Sequence, residues 1–189
     1  MKHLKFFCLI LLLNSCSKDF TTLNEYSSLP VKFAKTKITY PTKDFSMTLP
    51  KNWFWKVEDY ESEQIILGID AGVTDSINGF TKIISVQKYK STENNIELKA
   101  EYESVLKNMK KNKLIPQIVE SGKTELMNYD SYFLHSKSEN KKSIEMILFI
   151  VKSKEEGIFY SITASCHIED RLKTNMGMMI KCLETFEYN

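Results

Sequence analysis

Residues 144–183 read IEMILFIVKSKEEGIFYSITASCHIEDRLKTNMGMMIKCL, and the order of periods in this stretch decides the fold. Met146 to Val151 is apolar without interruption, so a strand at 144–152 has to be covered on both faces. After Lys-Glu-Glu-Gly the pattern changes to strict alternation: Ile158, Tyr160, Ile162 and Ala164 on one side, Ser161, Thr163 and Ser165 on the other, with Phe159 interrupting the polar side. That is a second strand, at about 156–166. The period then lengthens to three and four. Leu172, Met176, Met179 and Leu183 make one face of a helix from about Glu169 to Leu183. Two strands joined by a short turn and followed by a helix make an antiparallel unit rather than a crossover.

Working towards the N-terminus, strands are expected at about 130–137 and 117–126. Before them, Leu98, Tyr102, Val105, Leu106 and Met109 predict a helix from about Asn95 to Asn112. Asn94 with Glu97 three residues on suggests a capping box. Glu97, Glu101 and Glu103 early and Lys107, Lys110 and Lys111 late suit the helix dipole, with Glu103 paired to Lys107. The lysine run is therefore read as a solvated face. Earlier still, Phe45 to Leu49 alternates and Pro50 closes it, Trp53, Trp55 and Val57 share the core face of a segment at 52–60, Ile65 to Ile69 is a strand, and Phe80 to Tyr89 is another. Asp70 to Gly79 between them is turn-rich and ends in Asn78-Gly79. The whole is an α+β fold, a central antiparallel sheet with helices packed on its faces.

The extreme N-terminus is an address. Lys2, His3 and Lys5 precede an apolar run of eight residues, Phe6 to Leu13, too short for a bilayer-spanning helix, which needs roughly 20. Leu13-Asn14-Ser15-Cys16 resembles the lipobox of bacterial lipoproteins, with Asn14 where a small residue is usual; the resemblance implies cleavage before Cys16 and acylation of its thiol. Residues 1–15 are read as a lipoprotein signal peptide and 16–36 as the lipidated cysteine and a polar tether, with Ser27, Ser28 and Pro30 and no useful period. Residues 37–189 are read as one domain. The 189-residue chain has a net charge of +2, and removing Lys2 and Lys5 leaves 24 basic and 24 acidic residues. Zero net charge argues against nucleic acid as a partner, because phosphate binding needs a clustered basic excess.

The strand Phe45 to Leu49 with Pro50-Lys51-Asn52-Trp53, the late strand Tyr160 to Ser165, the closing helix and Thr185-Phe186 together resemble the PsbP-like family over about residues 37–187. The resemblance implies an α/β/α sandwich, in a family that includes extrinsic photosystem subunits, a nuclear-import factor and many bacterial lipoproteins. It transfers no ligand or partner residue.

Chemistry-bearing clusters are sparse. Once the leader is removed, His135 and His167 are the histidines. Cys166, His167, Glu169 and Asp170 gather a thiol, an imidazole and two carboxylates, but without the paired N and S donors of a zinc site. Cys166 as a strand end and the acids as a helix start account for them. Asp70, Asp75 and Asn78 lack calcium-loop spacing, and no phosphate loop or nucleophile elbow occurs. Cys166 and Cys182 are expected to be separated by about 20 Å of helix, beyond disulfide reach, and so to be reduced and buried. No catalytic residue, cofactor or metal is expected. The favoured reading is a lipid-anchored, non-catalytic protein of the bacterial cell envelope that touches the membrane through its lipid and binds another envelope protein. A small-ligand carrier, marked by a deep apolar pocket between sheet and helix, and an enzyme with scattered residues are the alternatives.

Overall fold

A computed structural model of the chain describes residues 20–75, 79–111, 117–138, 144–168 and 171–189. In chain order the elements are α1 (Leu23–Ser28), β1 (Lys35–Thr39), β2 (Phe45–Pro50), β3 (Phe54–Val57), β4 (Ile65–Asp75), β5 (Gly79–Lys90), α2 (Leu98–Lys111), β6 (Gln117–Thr124), β7 (Ser131–Ser138), β8 (Ile144–Lys152), β9 (Ile158–His167), α3 (Leu172–Leu183) and β10 (Glu187–Tyr188). Seven strands form one sheet in the order β3-β4-β5-β9-β8-β7-β6, and β1-β2-β10 form a small second sheet. All pairings are antiparallel. The expected α+β sandwich is the observed one.

The apolar run in β8 sits near the middle of the large sheet, and both of its faces are covered as its sequence requires. Ile147, Phe149 and Val151 point into the larger core with Tyr160 and Ile162 of β9, Met176, Met179 and Leu183 of α3, and Phe45 and Met47 of β2. Leu148 and Ile150 point the other way, into a smaller cluster with Leu134, Phe159 and Tyr102 of α2. At about 25 cal/mol per Å² of apolar area, a strand whose side chains are shielded on both faces gains roughly twice what a one-faced strand does, which is why β8 tolerates almost no polar residue. The C-terminus is fastened by rings: Tyr160 lies 5.2 Å from Phe186 and 5.2 Å from Tyr188, and the Tyr188 hydroxyl donates to the Lys152 carbonyl at 2.8 Å.

Five expectations need correction. Asp70 to Gly79, read as a turn after a strand at 65–69, is mostly strand: β4 continues through Asp75 and pairs with β5 to its end, Asp75 opposite Gly79. The stretch 16–36, read as a polar tether, contributes α1 from its described part. The Thr22 hydroxyl accepts from the Glu25 amide and the Glu25 carboxylate accepts from the Thr22 amide, a complete capping box, and Leu23 and Tyr26 are buried. Six residues hold less than two helical turns, too few for a hydrophobic period to show. The segment expected as a strand at 52–60 is ordered as one only over Phe54–Val57; Trp53 and Trp55 pack against the core, but Val57 is 45 % exposed because β3 is the last strand of the sheet. Helix α2 starts at Leu98, not Asn95. Asn94 has a left-handed φ of 55° and lies too far upstream to cap, and Glu103 pairs with Lys99 at 3.8 Å rather than with Lys107. Finally, β1 and β10 were not anticipated: β1 buries only Ile38 and β10 is two residues long, so neither carries an alternation.

Candidate functional site

The residues that the sequence singles out do not converge. Leu13, Asn14, Ser15 and Cys16 lie outside the described residues, as do Glu169 and Asp170. Cys166 and His167 are adjacent on β9 and therefore face opposite sides of the sheet. Cys166 is buried in the larger core and its thiol donates to the His167 carbonyl at 3.2 Å, while His167 is half-buried on the other face. A single ion cannot collect both side chains. Among the described residues no group of three or more His, Cys, Asp and Glu side chains is placed to hold a metal. Asp70 accepts a hydrogen bond from the Ser85 hydroxyl across the β4–β5 ladder, which is sheet chemistry; Asn78 lies outside the described residues. Cys182 is buried in α3, and burial pushes its thiol up to about 12. No disulfide joins it to Cys166.

What the structure does assemble is a buried ionic constellation drawn from four elements. His135 of β7 and Glu145 of β8 are both 0 % exposed. The imidazole Nε2 lies 2.8 Å from Glu145 Oε1, and Nδ1 lies 3.4 Å from Glu120 Oε1 of β6. Tyr26 of α1 donates its hydroxyl to Glu145 Oε1 at 2.6 Å. Lys137 Nζ is 3.2 Å from Glu145 Oε2, at an ion-pair distance but without hydrogen-bond alignment. The Leu23 amide donates to the Glu120 carboxylate. The rings of Phe20 and Tyr26 stand edge-on to the imidazole at 6.4 and 6.1 Å. Burial by itself would raise the Glu145 carboxyl, but hydrogen bonds from His135 and Tyr26 and the positive charges of His135 and Lys137 outweigh it and hold the group below the usual glutamate range. A neutral imidazole has one N–H, so both flanking carboxylates receive a proton only from the doubly protonated ring.

This arrangement fastens α1 to the sheet. It offers no reactive group to a solute, since its histidine and its central carboxylate are fully enclosed. A second polar cluster has the same character: Lys88 of β5 reaches Asp44 at 2.9 Å and Glu155 at 2.6 Å, tying the β1–β2 turn and the β8–β9 turn to the sheet.

Under α2 the crevice lined by Tyr102, Val105, Leu106, Leu134, Leu148 and Ile150 leaves about 0 Å³ for a water-sized molecule, against the roughly 300–1,000 Å³ of typical ligand sites. The exposed apolar surface lies elsewhere. Phe54 and Val57 of β3, on opposite faces of their strand, and Ile66 and Val73 of β4 are exposed near one margin of the large sheet; among the described residues β3 pairs only with β4. The connection that follows β3 carries Glu58, Asp59, Glu61 and Glu63.

No protein-family profile matches the sequence, and no curated protein matches it. Solved structures do. Cyanobacterial PsbP from Synechocystis is 10 % identical and aligns over 84 % of this chain and 94 % of its own, with a TM-score of 0.56. The Saccharomyces cerevisiae Ran-binding protein Mog1p is 5 % identical and aligns over 83 % of this chain and 96 % of its own, with a TM-score of 0.57. A Bacteroides thetaiotaomicron protein, 15 % identical with a TM-score of 0.49, aligns over 84 % of this chain, which spans about half, 49 %, of that protein's length. At these identities the likeness speaks for architecture alone: the chain has the PsbP-like fold, the sandwich shared by cyanobacterial PsbP and yeast Mog1p.

Proposed function

We propose that this protein is a non-catalytic interaction module of the bacterial cell envelope, anchored by a lipid on Cys16, and that it binds another envelope protein along the β3–β4 edge. The observation that carries the reading is the open margin of β3, with exposed Val57 on one face, exposed Phe54 on the other and exposed Ile66 and Val73 on the adjacent β4, followed in the chain by Glu58, Asp59, Glu61 and Glu63. An open edge strand presents unpaired backbone donors and acceptors that an extended segment of a partner can complete. Apolar side chains beside an acidic rim suit a partner segment in which aliphatic and basic residues alternate. The fold shared with a Ran-binding protein supports a binding role, and enclosure of His135 and Glu145 supports the absence of catalysis. The apolar order Phe6 to Leu13 followed by Leu13-Asn14-Ser15-Cys16 supports the anchor.

The test is photocrosslinking in intact cells from a probe at Val57, with a second probe at the far edge of the sheet, on Lys123 of β6. A recurrent envelope partner captured from Val57 and not from Lys123, and lost on Val57→Asp with Ile66→Asp, is expected. Equal capture from both edges refutes the edge as the binding face. The anchor is checked separately: Cys16→Ser moves the protein from the membrane to the aqueous fraction, and the N-terminal peptide of the unaltered protein carries acyl mass.

A further inference from the structure

The end of the sheet at which the described chain begins is also an end at which exposed cations without a carboxylate partner gather. The register places the start of β6, the end of β7, the start of β8 and the end of β9 side by side, with Gln117 opposite Lys137 and Ile144 opposite His167. Helix α2 runs toward this end on one face and finishes in Lys107, Lys110 and Lys111. Helix α3 starts from it on the other face, behind Arg171 and with Lys173 in its first turn. All five side chains are exposed. Among the described residues none of them pairs with a carboxylate. The nearby acids Glu120 and Glu145 are turned inward onto His135. Segments 112–116, 139–143 and 169–170 together carry three basic and three acidic residues and so leave the balance unchanged.

The opposite end also carries Lys43, Lys90 and Lys154, but acids outnumber bases there. Glu58, Asp59, Glu61 and Glu63 follow β3, Glu93 and Glu97 precede α2, and Glu155 and Glu156 occupy the β8–β9 turn. A body whose charges cancel overall is thus polarised along the strand direction. Helix electrostatics explains why lysines end α2; at the start of α3 Arg171 and Lys173 follow Glu169 and Asp170 in the sequence.

Phe20 lies over His135, three residues from the end of β7, and the Leu23 amide is held by Glu120. From residue 16 to residue 20 the chain spans at most about 14 Å. Resting on the anchor reading above, this puts a lipid on Cys16 beside the basic end. We propose that Lys107, Lys110, Lys111, Arg171 and Lys173 form the face that the protein lays against an anionic lipid surface. The acyl chains hold the body at the bilayer and the cations turn it, so that the acidic end and the β3–β4 edge point away. Two weak signals in one place are the usual requirement for stable, oriented attachment, and the cations act only within a Debye length of about 8–10 Å, which the short spacer keeps them inside.

The experiment separates this proposal from acylation by using the chain from residue 16 onward with Cys16→Ser, which has no lipid and retains every described residue. Its sedimentation with vesicles of phosphatidylglycerol and phosphatidylcholine is compared with pure phosphatidylcholine vesicles at 50 and 300 mM salt. Binding is expected only to the anionic vesicles, weakening at least tenfold at the higher salt and at least tenfold in the Lys107→Gln, Lys110→Gln, Lys111→Gln variant. A control with Lys43, Lys90 and Lys154, at the other end, changed to Gln stays within twofold of the parent, and matching far-UV spectra and melting temperatures show that both variants fold. No anionic preference at 50 mM salt, an equal loss in the control, or binding to polyglutamate instead of vesicles overturns the proposal while leaving Cys16 acylation standing. Absence of acyl mass on Cys16 together with retained anionic binding removes the anchor reading and leaves this face in place.

Discussion

Replacing His135 with leucine tests whether the buried constellation is held by its charges. The imidazole supplies the 2.8 Å contact to Glu145 Oε1, and without it a carboxylate of zero exposure keeps the Tyr26 hydroxyl and the misaligned Lys137 ammonium as its neighbours. Breaking one partner out of a buried ion pair costs about 3–5 kcal/mol, because the remaining charge stays desolvated. For a domain of this size each kcal/mol moves the melting temperature by roughly 2–4 °C, so His135→Leu melts about 6–20 °C lower. Changing Glu145 to leucine in the same background removes the stranded charge, and the double variant recovers about 2 kcal/mol or more of the loss.

The pH dependence follows from the direction of the Glu145 shift. Its carboxyl is lower in the folded protein than in the unfolded chain, so its contribution is complete above the ordinary glutamate value and disappears as pH falls through the folded value. In His135→Leu two of the influences that lower it are gone and burial is unchanged, so acid destabilisation sets in at higher pH than in the parent. Urea denaturation of the parent, the single and the double variants from pH 3 to pH 7 measures all three statements. A loss under 1 kcal/mol at pH 7, a double variant no more stable than the single one, or coincident acid limbs would refute the charge-based account.

Two further outcomes follow from close packing. A Cβ on Gly177 of α3 meets Leu29 Cδ1 at 2.8 Å and the Tyr26 carbonyl at 3.3 Å, so Gly177→Leu should displace α1 at a cost of about 1–3 kcal/mol. Chymotryptic cleavage at Phe33 then accelerates at least tenfold while the sheet stays protected, and unchanged protection contradicts the packing. Cys182, raised to about 12 by burial, should resist iodoacetamide at pH 8 in the folded protein and react in guanidinium, as read on its own peptide; modification within minutes without denaturant shows the thiol to be accessible.

The sandwich was legible where a period ran long enough to be seen. β8, β9 and α3 each bury a full face, and their boundaries fall within a few residues of those read from IEMILFIV, the Ile158-to-Ala164 alternation and the Met176–Met179 stripe. α1 and β10 are held by contacts to distant chain, Tyr26 to Glu145 across 119 positions among them, and no local pattern encodes such a contact; β1 pairs with the adjacent β2 but buries only Ile38 and so shows no alternation. Val57 shows the opposite failure: its alternation with Trp55 was real, but alternation does not say whether a strand lies at the edge. The constellation left one readable trace. In β7 and β8 the ionisable His135, Lys137 and Glu145 occupy the same phase as Phe133, Ile147 and Phe149, and charges at core phase on neighbouring strands indicate a buried pair. Its other members, Tyr26 and Glu120, come from a helix and a strand that only the folded topology brings together.

The helix that the sequence hid changes what the proposed anchor does. Read as an unstructured tether to residue 36, the chain after Cys16 would let the domain roam about 70 Å from the bilayer. With α1 docked, Cys16 lies within about 14 Å of chain length from the described domain at Phe20. The docked helix is held by Tyr26 and Leu23 on Glu145 and Glu120, and Gly177 lets Leu29 close against α3. Stability of the buried ion pair and distance from the membrane are then one quantity seen from two sides: a change that frees α1 lengthens the tether about fivefold, takes the basic end out of range of the headgroups, and lets the β3–β4 edge turn in any direction.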